Sequence, residues 1–166
     1  MLMPERVKAI ESLARDVIEE AYSQNRQQIA PPINLQKILD YNGLCLKIAT
    51  FKDPRILGAI DKKEKIIYVV PEQPYKRKVF TIAHELGHFF LHNEIEAEFF
   101  FREDAIRPES NSDNKETEAN WFASSLLMPD FLVKRFWPQF NTSAMISDLF
   151  RVSNSAANFR IKNLKL

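Results

Sequence analysis

The sequence predicts an α+β fold in which helices precede and follow a small, mostly antiparallel sheet. Apolar residues recur at helical spacing near the start and again after residue 78, while residues 44–70 hold short β-branched and aromatic runs joined by links too short for crossover helices. With 166 residues, 45% of them apolar, the chain has the profile of one domain with one core, spanning 1–166.

Taken in order, the helical spacing of Val7, Ile10, Ala14, Val17, Ile18 and Ala21 predicts an amphipathic helix over 4–24, with Pro4 in its first turn. Its polar face mixes both charge signs, so it is expected to pack on the core and not on a membrane. After Pro31-Pro32, Asn34 is a cap for a short helix carrying Leu35, Ile38 and Leu39, and Gly43 stands where a left-handed terminal residue is expected. These helices make up 1–43. Strands are expected over 44–51 and 66–70, with a third over 56–60 joined to the last by the charged turn at 61–65. The lone Cys45 reads as a small buried strand residue; with no second cysteine it excludes an internal disulfide.

Residues 78–128 are expected to hold two long helices, at 78–92 and 114–128, the second stopped by Pro129. Between them, 93–113 reads as an acidic, partly ordered loop in which Phe99, Phe100 and Phe101 are too apolar to lie together in water. Satellite core packing suits them better than a lid or a substrate shelf. Short helices follow around 131–137 and within 141–166, where Val152-Ser153 reads as the turn of a helix-turn-helix-like segment and Ser153 as the cap of its second helix.

Charge excludes little and supports little. Lys plus Arg number 23 against 22 for Asp plus Glu, so the net charge of +1 gives no whole-chain attraction to nucleic acid or anionic lipid. The N-terminus lacks the apolar run of a signal peptide and no stretch is long enough to span a membrane, so the expected location is the cytoplasm.

The chemistry is concentrated in His84-Glu85-Leu86-Gly87-His88. Histidines four residues apart on a helix lie one turn apart on one face, where both imidazoles can hold one Zn²⁺. Glu85, one residue along, is placed to take a proton from an attacking water and return it to a leaving amine. Without a metal, two polar rings would sit on a buried helix face with no partner. Gly87 adds weight: a glycine inside a helix costs about 1 kcal/mol relative to alanine, and this chain has only 3. Something must approach closely there, and the second long helix, bringing a third ligand, is the candidate.

The third ligand is not His92, the remaining histidine. It lies two turns beyond His84 on the same helix, about 12 Å of rise away, and is expected to support the site from outside the ligand set. Carboxylates on the next helix suit better. Glu116 shares a face with Asn120 and the small Ala119 and Ala123, so Asn120 is placed to hydrogen-bond a ligand imidazole. Glu118 is the alternative ligand. Histidine and carboxylate donors also accept Mn²⁺, Fe²⁺ or Co²⁺ in place of zinc.

These residues resemble the ImmA/IrrE family of zinc metallopeptidases. The resemblance rests on Phe80 to His88, on Leu91-His92, and on Glu116, Glu118, Ala119, Asn120, Phe122 and Ala123 running into Leu126-Leu127-Met128-Pro129. Upstream, Pro32 to Leu35, Asn42 to Leu44 and Gly58 to Ile60 extend it over most of the chain, with Pro71 as a departure where relatives often carry Asn. The resemblance implies a compact zincin-like, gluzincin-type metallopeptidase with His84, His88 and a later Glu as ligands and Glu85 as general base. It further implies a bacterial or mobile-element protein that cleaves a helix-turn-helix repressor and relieves repression.

Two rival readings stand beside it. One is a non-proteolytic anti-repressor that binds its partner, with a structural or vestigial metal site. The other is a metal-free DNA-binding regulator, suggested by Lys134, Arg135, Arg151, Arg160, Lys162 and Lys165 against Asp148 alone within 134–166. The first turns of the last helix offer mostly Ser, Ala and Asn, so packing or substrate docking is expected there in preference to direct DNA binding.

Overall fold

The computed structural model describes residues 2–23, 26–92, 97–101 and 112–166. Helix α1 (Pro4–Ala21) has proline in its first turn and buries Ile10, Ala14, Val17 and Ile18. Helix α2 (Leu35–Asn42) follows the expected signals at both ends. The Asn34 side chain accepts a hydrogen bond from the Gln36 N–H, and Gly43 takes φ 66°, a left-handed conformation that only glycine adopts without cost.

Strands β1 (Cys45–Ile48), β2 (Ile56–Asp61), β3 (Ile66–Val69) and β4 (Ala97–Phe101) form one sheet in the order β1-β3-β2-β4. β2 and β3 are an antiparallel hairpin, and its turn is fixed by the Glu64 N–H donating to the Asp61 carboxylate. β4 pairs antiparallel with β2, and β1 pairs parallel with β3. The sheet is therefore mostly antiparallel, with one parallel edge.

Two sequence expectations are corrected here. Part of the segment read as an acidic loop is a strand, because residues 97–101 find a pairing partner in β2, remote in sequence and invisible to local patterning. The loop's remaining residues, 93–96 and 102–111, lie outside the described residues. Cys45 is exposed, not buried. β1 is an edge strand with all four residues exposed, so a residue of strand character gained no cover from the core.

Helix α3 (Tyr75–Leu91) lies across the sheet and packs along α4 (Ser112–Leu127), which in turn packs on α1. Phe90 and Phe122, with ring centroids 5.7 Å apart, join α3 to α4 inside the core. Helices α5 (Asp130–Phe140), α6 (Ser143–Phe150) and α7 (Asn154–Leu164) complete the chain. Ser153 caps α7 as its sequence predicts, accepting from the Ala156 N–H. α7 is anchored inward by Arg160, whose guanidinium is 1% exposed, donates to the Met128 carbonyl at 2.9 Å and pairs with Glu11 of α1. One apolar cluster runs from Ile10 to Ile161 and draws on the helices before and after the sheet. Among the described residues no helix is long and apolar enough to cross a membrane.

Candidate metal centre

Helix α3 carries its chemistry on the face turned to α4. His84, Glu85 and His88 are all fully buried. The two helices meet closely because a Cβ on Gly87 would stand 2.9 Å from the Ala119 Cα and 3.1 Å from its carbonyl oxygen. Only the pairing of glycine with a small residue lets the backbones approach this far. That approach brings Glu116, one turn before Asn120 on α4, up to the imidazoles: its carboxylate oxygens lie 3.4 Å from His84 Nε2 and 3.3 Å from His88 Nε2. The Nε2 atoms themselves are 2.9 Å apart.

What surrounds these groups decides how they are protonated. The Nδ1–H of His84 donates to Asn120 Oδ1 at 2.9 Å, which leaves Nε2 bare and facing Glu116. A longer relay acts on His88. Arg6 grips Glu118 through two hydrogen bonds of 2.7 and 2.5 Å, Glu118 accepts from His92 Nε2–H at 3.2 Å, and His92 Nδ1 lies 3.0 Å from His88 Nδ1. A neutral His92 donating to Glu118 accepts at Nδ1, so His88 donates there and presents its own Nε2 lone pair inward. Burial pushes the His84 pKa down, against the pull of the Glu116 carboxylate on a ring proton, and favours the neutral ring that ligates metals. Burial alone would raise the Glu116 carboxyl; hydrogen bonding and charge from His84 and His88, when a proton sits on their Nε2 atoms, outweigh it and hold the group well below the ordinary carboxylate range.

With both rings neutral, two bare nitrogens and a carboxylate point at one another in a dry site. Such donors repel unless a cation lies between them, and His84, His88 and Glu116 offer one ligand atom each within 4.8 Å of one another. Tetrahedral donors about 2.0–2.1 Å from zinc stand roughly 3.3–3.4 Å apart, which matches the carboxylate-to-nitrogen spacing. The residues fit a divalent ion.

The structure therefore brings together three of the residues named from the sequence and sets Asn120 behind one of them. His92 touches His88 without joining the cluster, and Glu118 is turned to His92 and Arg6. Arg6 itself went unnoticed, since nothing local links it to a residue 112 positions away. Gly58 also carried an overlooked signal, as a glycine within a strand. A Cβ there would meet Thr81 Cγ2 at 2.4 Å and Glu85 Oε1 at 3.3 Å, so its bareness lets β2 lie against the acidic residue of the motif.

A helix-borne pair of histidines completed by a carboxylate from a neighbouring helix defines a metallopeptidase type of centre. The chain belongs to the Peptidase_M78 family, whose model, the IrrE N-terminal-like domain, matches residues 46–162. It is also 33% identical over 89 residues to uncharacterized immunity region protein 2 of Bacillus phage phi105. That match takes in 54% of this chain and 52% of the phage protein, so the chain spans about half the length of the curated relative it matches.

Proposed function

We propose that the protein is a zinc-dependent endopeptidase that cuts a helix-turn-helix transcriptional repressor at one site and so relieves repression. The observation that carries this reading is the convergence of His84 Nε2, His88 Nε2 and Glu116 in a buried cluster, with Glu85 on the next position of the same helix. When bound there, a zinc ion supplies a Lewis acid for the scissile carbonyl and lowers the pKa of water toward neutrality. His84 and His88 hold it through Nε2, and Glu116 neutralises part of its charge. Asn120 and His92 fix the two rings in the tautomer that ligates. Glu85, fully buried beside Gly58, serves as the base that takes the proton of the attacking water and hands it to the departing amine.

The likeness to a phage immunity-region protein supports a repressor as substrate. The burial of Arg160 weighs against the DNA-binding alternative, because it removes one of the basic residues that suggested it.

The test is incubation of the purified protein, loaded with Zn²⁺ or Mn²⁺, with the product of a neighbouring repressor gene, followed by mass spectrometry of the fragments. A single cut is expected, lost in Glu85→Gln while zinc content is kept. Undiminished derepression in cells carrying that variant would favour instead a partner-binding anti-repressor.

A further inference from the structure

Gly58 of β2 lies under two side chains of α3. A Cβ at Gly58 would stand 2.4 Å from Thr81 Cγ2 and 3.3 Å from Glu85 Oε1, so the Thr81 methyl already fills the place of the missing side chain and the Glu85 carboxylate borders it. Both α3 residues are fully buried. Thr81 and Glu85 are one turn apart on the helix, and a chain of hydrogen bonds outside the motif turns the Thr81 methyl toward Gly58. The amide of Gln73, in the link between β3 and α3, donates from Nε2 to the Leu57 carbonyl at 2.7 Å and the Val70 carbonyl at 3.3 Å. With both amide protons so used, Oε1 is the atom left for Thr81, whose hydroxyl donates to it at 2.8 Å. The same hydroxyl lies 3.0 Å from the Arg77 carbonyl, one turn back.

A threonine in a helix has two χ1 choices, because its hydroxyl can bond a carbonyl one turn back. The two acceptors choose between them: with the hydroxyl held by Gln73 and Arg77, the methyl is the branch left over Gly58. No other residue type supplies both. Serine would keep the bond to Gln73 and leave a methyl-sized gap against the Glu85 carboxylate, while valine would fill the gap and turn a methyl group to Gln73 Oε1. We propose that Thr81, set by Gln73, is a positioning residue for Glu85: its methyl blocks the space over Gly58 into which the carboxylate would otherwise turn. The blocking group stands on the helix that carries Glu85, so their spacing is kept if the sheet shifts. The inference rests on the peptidase reading for its catalytic meaning, since misplacing a catalytic group by about 1 Å costs up to about 100-fold in rate. The placement of the carboxylate is nevertheless testable without any cleavage.

The experiment follows the Glu85 carboxyl by NMR. The full-length, zinc-loaded protein is labelled with glutamate carrying ¹³C at Cδ, and the Glu85 signal is identified by its loss in Glu85→Gln. Thr81→Ser should shift or split that signal. Gly58→Ala combined with Thr81→Ser should return it to the parent position, because the sheet then supplies the methyl that the helix has lost. Gln73→Leu, which removes one of the two acceptors, should move the signal in the same direction as Thr81→Ser. Against the product of the neighbouring repressor gene, kcat per zinc-loaded molecule should fall by about 10- to 100-fold in Thr81→Ser and recover in the double variant, with KM and zinc affinity unchanged. A merely structural threonine would lower the unfolding temperature and leave both the signal and kcat in place. An unmoved signal in Thr81→Ser, a shift that the double variant does not reverse, or a moved signal with kcat unchanged would each overturn the assignment, and an unmoved signal in Gln73→Leu would remove Gln73 from it. Failure of the peptidase reading would show elsewhere, as a repressor left whole by a parent protein whose Glu85 signal still follows these substitutions.

Discussion

Gly87 of α3 and Ala119 of α4 are packed so tightly that a methyl group added at position 87 would meet the Ala119 backbone at 2.9 Å. The contact lies between the turns that carry His84 and His88 and the turn that carries Glu116, so the spacing of these two helices is also the spacing of the ligand cluster. Neither neighbour is the loose end of a side chain, and the strain of a larger residue must be relieved by moving a helix.

Gly87→Ala should therefore separate a local gain from a tertiary loss. In an isolated helix the change would stabilise by about 1 kcal/mol; here overpacking should destabilise by about 1–3 kcal/mol. Urea unfolding gives the sign, and zinc affinity measured by competition with a chromogenic chelator should fall as Glu116 is pushed from the imidazoles. Unchanged stability and affinity would show that α4 can yield without cost.

How much of this was legible beforehand follows from where each signal resides. Asn34 and Gly43 mark the ends of α2 because capping is local chemistry, and Gly87 announces a close approach because a helix-interior glycine asks for a reason. Glu116 and Glu118 could not be separated by such means. They stand on different faces of one helix, and the face that meets α3 is set by tertiary packing; it sends Glu116 to the histidines and Glu118 to Arg6 and His92. β4 escaped notice for a similar reason, since its pairing with β2 is long-range and its flanks are charged. Cys45 misled because strand character says nothing about whether a strand lies at an edge.

The groups behind the imidazoles should matter nearly as much as the ligands. Asn120→Ala removes the acceptor that orients His84, and His92→Ala removes the partner of His88. Each should weaken zinc binding by about 10- to 100-fold while the fold persists. Arg6→Ala acts one step further out, through Glu118, and should have a smaller effect in the same assay. Loss of folding in all three, seen as a collapsed near-ultraviolet circular dichroism spectrum, would assign these residues to the core and not to the site.

Asp130, at the start of α5, makes a prediction about acid stability away from the metal. Burial alone would raise its pKa, but hydrogen bonds from Lys134 and from Arg15 of α1 outweigh this and hold the carboxyl below its ordinary value. A carboxyl depressed in the folded state stabilises above its unfolded pKa, near ~3.9, and that stabilisation is lost as pH falls through the folded value. Asp130→Asn should accordingly cost about 0.5–1 kcal/mol at neutral pH, with the gap to the parent protein closing as pH falls below the unfolded value near ~3.9 and through the folded one. Urea midpoints for the two proteins across this range check it; a gap that stays constant with pH would mean that the ionised form contributes nothing.

Removal of the metal gives the clearest readout of the cluster as a whole. His84, His88 and Glu116 present lone pairs and a negative charge to one another in a site closed to water, so a cation there relieves repulsion that the empty site must bear. Binding to the folded state alone stabilises by about 4 kcal/mol when free zinc is a thousandfold above the dissociation constant. In a chain of this size that corresponds to roughly 8–16 °C in Tm. Chelation should lower Tm by this order, re-addition of zinc should restore it, and the difference should vanish in Glu116→Gln but persist in Glu85→Gln. The contrast is what tests the assignment, because Glu85 and Glu116 are both buried carboxylates of the same centre and only one of them is placed among the ligand atoms. Equal loss of the zinc-dependent shift in both variants would place Glu85 among the ligands and remove it from the role of base.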